Sequence, residues 1–93
     1  MTATRGTAWT VGLYSWDVRS GDERRAGPGG ISDDRRRALD ALAGALRDEP
    51  PGAWGTVWSV HLKLGRRPEY DYGGLVALGS HDPQSGAVTV EGP

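Results

Sequence analysis

A chain of 93 residues, of which 37% are hydrophobic and 25% charged, is long enough for one domain and too short for two. Its 11 basic and 12 acidic residues lack the basic excess of a general nucleic-acid binder. The absence of cysteine excludes disulfides, thiolate metal sites and thiol nucleophiles. No apolar run approaches the ~20 residues that span a bilayer, and the first residues have no apolar stretch typical of a signal peptide. We therefore expect a cytoplasmic protein that makes no membrane contact.

The first half of the chain predicts a strand, a loop and a helix. Thr7–Val18 is rich in aromatic and β-branched residues, which favours a strand. The glycine-rich, polar segment that follows predicts a flexible loop over about residues 19–30. Ser32 is the predicted N-cap of a helix whose leucines and alanines recur at spacings of three and four. Pro50-Pro51-Gly52 ends that helix.

The second half predicts three strands, Trp54–Leu64, Tyr70–Ser80 and Ala87–Val90, with a turn at Asp82–Gly86 in which Gly86 adopts a left-handed conformation. The order β-α-β-β-β predicts an α+β two-layer sandwich in one domain of residues 1–93, with a mostly antiparallel sheet and one helix on one face. Spacing alone does not decide whether the first strand pairs with the second or with the third.

The aromatic residues of the first strand point to both faces of the sheet. Trp9 has the parity of Val11 and Leu13, whereas Tyr14 and Trp16 have the opposite parity. One helix covers only one face, so we expect Tyr14 and Trp16 to face a partner. A bulge at Gly12 would instead put Val11, Tyr14 and Trp16 on the same side, and a loop folded over the second face would cover the remaining set.

In the second strand, Trp58 alternates with Val60, Leu62 and Leu64, and this apolar set is predicted to lie under the helix. Trp58 is accordingly expected in the core.

Two arginine-containing segments are further candidate sites. Arg66 and Arg67 precede Tyr70 and Tyr72, a combination that suits an acidic peptide or a stacked base; an ordinary exposed hairpin is the alternative. A candidate anion site lies ahead of the helix, where arginines and glycines precede free N–H groups. Its residues are Arg24, Arg25, Gly29 and Gly30. Asp33 and Asp34 oppose an anion there, and a plain loop with a capped helix is the alternative.

No motif in the chain indicates catalysis or metal binding. The two histidines, His61 and His81, have no metal-ligand spacing. Ser59 shares a strand face with His61, yet the glycines of a nucleophile elbow are absent. We expect no catalytic residue, no metal and no cofactor.

The segment Gly-Pro-Gly-Gly-Ile-Ser-Asp-Asp at residues 27–34, in a chain rich in Arg, Ala and Gly, resembles small actinobacterial proteins from GC-rich genomes. The resemblance implies no activity. We expect a non-catalytic interaction or accessory module that self-associates as a homodimer, or binds a protein partner, through an aromatic sheet face. A nucleic-acid-binding module that uses Arg, Trp and Tyr is the first alternative, and a small-ligand enzyme is the second.

Overall fold

The computed structural model describes residues 9–20, 26–65, 67 and 69–92, with the backbone alone for Trp9, Thr10 and Ala26. The elements in chain order are β1 (Trp9–Arg19), β2 (Ala26–Ser32), α1 (Arg35–Asp48), β3 (Trp54–Leu64), β4 (Glu69–His81) and β5 (Val88–Glu91). The strands form one antiparallel sheet in the order β2-β1-β3-β4-β5, and α1 packs against it. The predicted α+β two-layer fold is confirmed, and β1 pairs with β3 rather than with β4.

The strand β2 was not predicted from the sequence, so the element order is β-β-α-β-β-β. Residues 26–30, expected to belong to a flexible loop, pair with β1 as an edge strand. Glycine and Pro28 are poor strand formers, but an edge strand tolerates a proline that cannot donate a hydrogen bond. Pairing with β1 therefore overrides the local preference of this segment.

The helix begins after Asp34, whose Oδ1 accepts a hydrogen bond from the N–H of Arg37 at 3.1 Å. The prediction of Ser32 as N-cap is wrong by two residues. Ser32 is the last residue of β2, and its hydroxyl accepts from the Asp34 N–H at 3.1 Å. Aspartate caps a helix as well as serine does. At the other end the helix stops at Asp48, ahead of Pro50, as predicted.

The helix lies close to the sheet because two glycines face each other beneath it. Gly55 of β3 pairs directly with Gly79 of β4. A Cβ on Gly55 would come within 2.6 Å of Leu42 Cδ1, and one on Gly79 within 3.0 Å of Leu42 Cδ2. Leu42 is fully buried, as are Ala38 and Leu46 on the same face of the helix. The two glycines thus form the floor on which α1 rests.

The helix covers only part of the sheet. Its 14 residues span about 21 Å, whereas the 11 residues of β3 span about 36 Å. Beneath the helix, Val57 and Ala77 belong to the buried cluster and Tyr14 packs against it, whereas none of the described side chains of segments 9–13, 59–64 and 69–75 does so. We call these three strand segments the arm. It extends beyond the helix as a three-stranded sheet.

The turn before β5 has the predicted conformation. Gly86 has φ +76°, the left-handed region that glycine adopts without steric cost. The carboxylate of Asp82 accepts a hydrogen bond from the Gln84 N–H at 2.8 Å, which lowers the pKa of Asp82. The turn therefore sets the register in which β5 returns along β4.

Candidate functional site

The strand register separates the two faces of the sheet. Pairing of β1 with β3 is regular over all eleven residues, so directly paired side chains share a face. The face that carries Val18, Val57 and Ala77, which are buried against α1, is called the helix face. The opposite face, which no described element covers, is called the open face.

All the large hydrophobic side chains that the described part of the chain exposes lie on the open face. Val11 and Tyr70 flank Leu62, Ile31 and Trp58 flank Ser15, and the others follow the same register. The set is Val11, Ile31, Trp54, Trp58, Leu64, Tyr70, Tyr72 and Leu78. The exposed apolar surface is therefore concentrated on one side of the molecule.

The expected positions of two tryptophans are reversed. Trp16, predicted to face a partner, lies on the helix face, where it packs against the core and its indole covers Gly30. Tyr14 also packs against the core. Trp58, predicted to be core, is 37% exposed on the open face. The more apolar set of alternating β3 residues therefore faces away from the helix. The set that faces the helix has Gly55 and Val57 beneath α1.

The open face divides into two regions. Its arm end, with the adjoining part of β2, carries no charged side chain, and Val60 is buried there between Leu13 and Tyr72 on the neighbouring strands. We call this region the apolar patch. Its members are Val11, Leu13, Ile31, Trp58, Val60, Leu62, Leu64, Tyr70 and Tyr72.

The other region of the open face, the polar end, surrounds Trp54. On one side of the indole is a depression of about 460 Å³, lined by Asp17, Arg19, Thr56 and Trp58 as well. The Thr56 hydroxyl donates to Asp17 Oδ1 at 2.9 Å, and Arg19 Nε lies 3.8 Å from Asp17 Oδ2.

On the other side of Trp54 is a second depression, of about 370 Å³. It is also lined by Leu78, Gly79, Ser80, Thr89, Glu91 and Gly92. Trp54 therefore stands as a ridge between two small concavities of mixed polarity.

The arm is polar on its helix-face side. Lys63 Nζ lies 2.7 Å from an Asp71 carboxylate oxygen, and this hydrogen bond raises the pKa of Lys63. The Ser59 hydroxyl accepts from the Gly74 N–H at 3.0 Å. The two faces of the arm thus differ sharply in polarity.

The two glycines of the anion site predicted ahead of the helix do not form a loop that could hold an anion. Gly29 and Gly30 lie within β2, paired with Asp17 and Trp16, and Asp34 occupies the N-cap of the helix. Arg24 and Arg25 lie outside the described residues.

The structure describes part of the second arginine-containing segment. Tyr70 and Tyr72 are exposed on the open face, as a partner-binding role requires, and Arg67 is exposed. Arg66 lies outside the described residues. The sequence did not identify Trp54, Trp58 and Leu78 as surface residues, although the short helix and the long strands already indicated that some of the sheet stays uncovered.

Among residues 9–20, 26–65, 67 and 69–92, no three His, Asp or Glu side chains are grouped to hold a metal ion. The hydroxyl of Ser59 is bonded to the backbone of Gly74, and His81 Nδ1 lies 2.9 Å from the carbonyl oxygen of Leu46 at the helix end.

In the part of the chain that the structure describes, no helix is both long and apolar enough to cross a membrane.

Neither a family model, nor a curated protein, nor a solved structure matches the chain.

Proposed function

We propose that the protein is a non-catalytic interaction module that forms a homodimer in the cytoplasm, with the apolar patches of two copies packed face to face. The observation that supports this proposal is the location of the exposed apolar side chains on one face. The largest apolar patch on a soluble protein is typically about 300–600 Å² and is often a functional surface.

The exposed area suits a dimer of modest affinity. Trp58, Tyr70 and Tyr72 are 37%, 50% and 64% exposed, and such rings have side-chain areas of about 150–250 Å², so together they expose roughly 300 Å². With the aliphatic members the patch reaches roughly 500 Å² per copy. Two patches then bury about 1,000 Å², the lower limit for a specific interface. We expect a dissociation constant in the micromolar range.

Charge favours a second copy as the occupant. In a two-fold interface the same patch of each copy packs against the other, so a patch without charged residues buries no charge on either side. The apolar patch has none, whereas Asp17, Arg19 and Glu91 lie at the polar end. Two sheets packed about 10 Å apart interdigitate such side chains without cost in desolvated charge.

A nucleic-acid-binding role has less support. Phosphate contacts need several cations on the binding surface. Among the described strand residues of the open face the single cation is Arg19, which lies beside Asp17; Arg67 is exposed in the segment between β3 and β4. Affinity for single-stranded DNA that falls steeply with salt would favour that alternative.

The dimer is tested by light scattering after size-exclusion chromatography at tens of micromolar protein. We expect twice the chain mass of 9.9 kDa. Trp58→Ala should weaken dimerisation by about 30-fold, because truncating a tryptophan at an interface costs ~2 kcal/mol or more, and should leave a cooperative melting transition.

Trp54→Ala is the matched control, since Trp54 lies on the same strand and face and is 42% exposed but is outside the patch; its dimer should persist. Trp16→Ala should instead lower the melting temperature, because that ring packs on the core. A wild-type mass equal to one chain at all concentrations contradicts the proposal.

A further inference from the structure

The indole of Trp54 has a different environment on each of its two sides. On the β1 side, Arg19 is its direct cross-strand partner, and Arg19 Nε lies 3.8 Å from Asp17 Oδ2. The chain therefore places a guanidinium group, a carboxylate and an indole together in one depression. A cation near a tryptophan face and a carboxylate interacts favourably with both.

On the β5 side the same combination lacks its cation. Glu91 supplies a carboxylate, and Ser80 and Thr89, whose hydroxyl oxygens lie 3.4 Å apart, also line the depression. Within the described part of the chain, no residue that lines this depression is positively charged. Glu91 is exposed at the end of β5, where it pairs with Leu78. The depression of about 370 Å³ is large enough for one guanidinium or ammonium group and its alkyl stem.

We propose that the depression between Trp54 and Glu91 is a binding site for an arginine or lysine side chain of a protein partner. The alkyl stem of that side chain lies on Leu78, the cationic head lies between the indole face and the carboxylate, and the hydroxyls of Ser80 and Thr89 accept its remaining N–H groups. The depression beside Arg19 does not compete for such a ligand, because the chain's own arginine already lies beside Asp17.

The proposal does not depend on the dimer, since the site belongs to the polar end. A basic side chain bound there contacts no member of the apolar patch, which stays accessible to the second copy. The open face then has two separate binding regions. The apolar patch self-associates, and the polar end binds a basic side chain.

The test uses Nα-acetyl-arginine amide as the probe and the citrulline analogue as its neutral match in shape. Binding is followed by NMR, through the indole N–H of Trp54 and the backbone amide of Glu91. We expect saturable shifts with arginine and binding at least about fivefold weaker with citrulline, because exposed cation–π contacts and ion pairs each contribute about two- to fivefold.

Glu91→Gln keeps the shape and removes the charge, and should weaken arginine binding by about two- to fivefold. Trp54→Leu, followed at the Glu91 amide because its own indole N–H is gone, should weaken arginine binding by about two- to fivefold, whereas Trp58→Leu, outside this depression, should leave the affinity unchanged. Equal affinity for arginine and citrulline, or full binding by Trp54→Leu, overturns the proposal. Because dimer mass responds to Trp58 and the arginine site to Trp54, failure of one proposal is distinguishable from failure of the other.

Discussion

Replacing Leu42 by alanine should lower the free energy of unfolding by about 3 kcal/mol, because large-to-small changes at buried leucines lose transfer free energy and leave a cavity. Leu42 is fully buried, and its two methyl groups lie over Gly55 and Gly79. Neither glycine has a side chain that can move into the vacated space, so the cavity should persist. Chemical denaturation measures the loss.

Arg36→Ala is the control for this change. Arg36 lies on the exposed side of α1, and its Nε is 3.9 Å from an oxygen of Asp40 in an ion pair open to solvent. Its removal should change stability by less than about 0.5 kcal/mol. Both variants should be measured at one protein concentration, because the proposed dimerisation would add to the apparent stability. Equal unfolding free energies for the two variants would show that α1 does not pack on the sheet through Leu42.

Gly55→Ala should destabilise the protein by about 2–3 kcal/mol, although alanine is the smallest possible addition. The new Cβ would meet the backbone carbonyl oxygen of Asp17 and would lie 2.6 Å from Leu42 Cδ1. The leucine methyl can rotate away, but the β1 backbone cannot move without breaking its pairing with β3. We expect a lower midpoint of chemical denaturation, with an unchanged dependence of the unfolding free energy on denaturant concentration.

Gly44→Ala provides the matched control, since it adds the same methyl group elsewhere. Gly44 lies within α1, and nothing stands within 4 Å of a Cβ built on it. Alanine is favoured over glycine in a helix by about 1 kcal/mol, so this variant should be more stable than the wild type. If Gly55→Ala were equally stabilising, the close approach of α1 to the sheet would be wrong.

Those elements that carry their own periodic signal were predictable from sequence. The spacing of Ala38, Leu42 and Leu46 identified the buried face of α1. The bounds of β3 agree with the prediction at both ends, because Pro51-Gly52 precede it and glycine follows it. The two-layer class followed from one helix and several strands.

The parity of β3 could not be read correctly because the strand position nearest the helix is a glycine. Trp58, Val60 and Leu62 form the more apolar parity, and a pattern argument places that parity in the core. In the structure Gly55 is the residue under Leu42, and a glycine adds nothing to a hydrophobic pattern. The same absence of side chains concealed β2, whose central residues Gly29 and Gly30 contribute backbone pairing alone.

The wrong choice of sheet face also affected some of the residues predicted for the candidate site. Tyr70 and Tyr72, predicted to bind a partner, are exposed, since tyrosines beside charged residues on a hairpin favour the surface. Trp58 was assigned to the core and Trp16 to a partner, because both assignments depended on one choice of face.

The strands of the arm should separate locally more readily than the part of the sheet beneath α1. The three strands of the arm lack a second layer, and Val60 is the one buried hydrophobic side chain among its described residues. Backbone amides of the arm should therefore exchange with solvent through local strand separation, while those beneath α1 exchange only when the whole fold opens. The proposed face-to-face pairing of two copies would supply the missing layer. It would convert the fastest-exchanging part of the sheet into one whose amide protection rises with protein concentration.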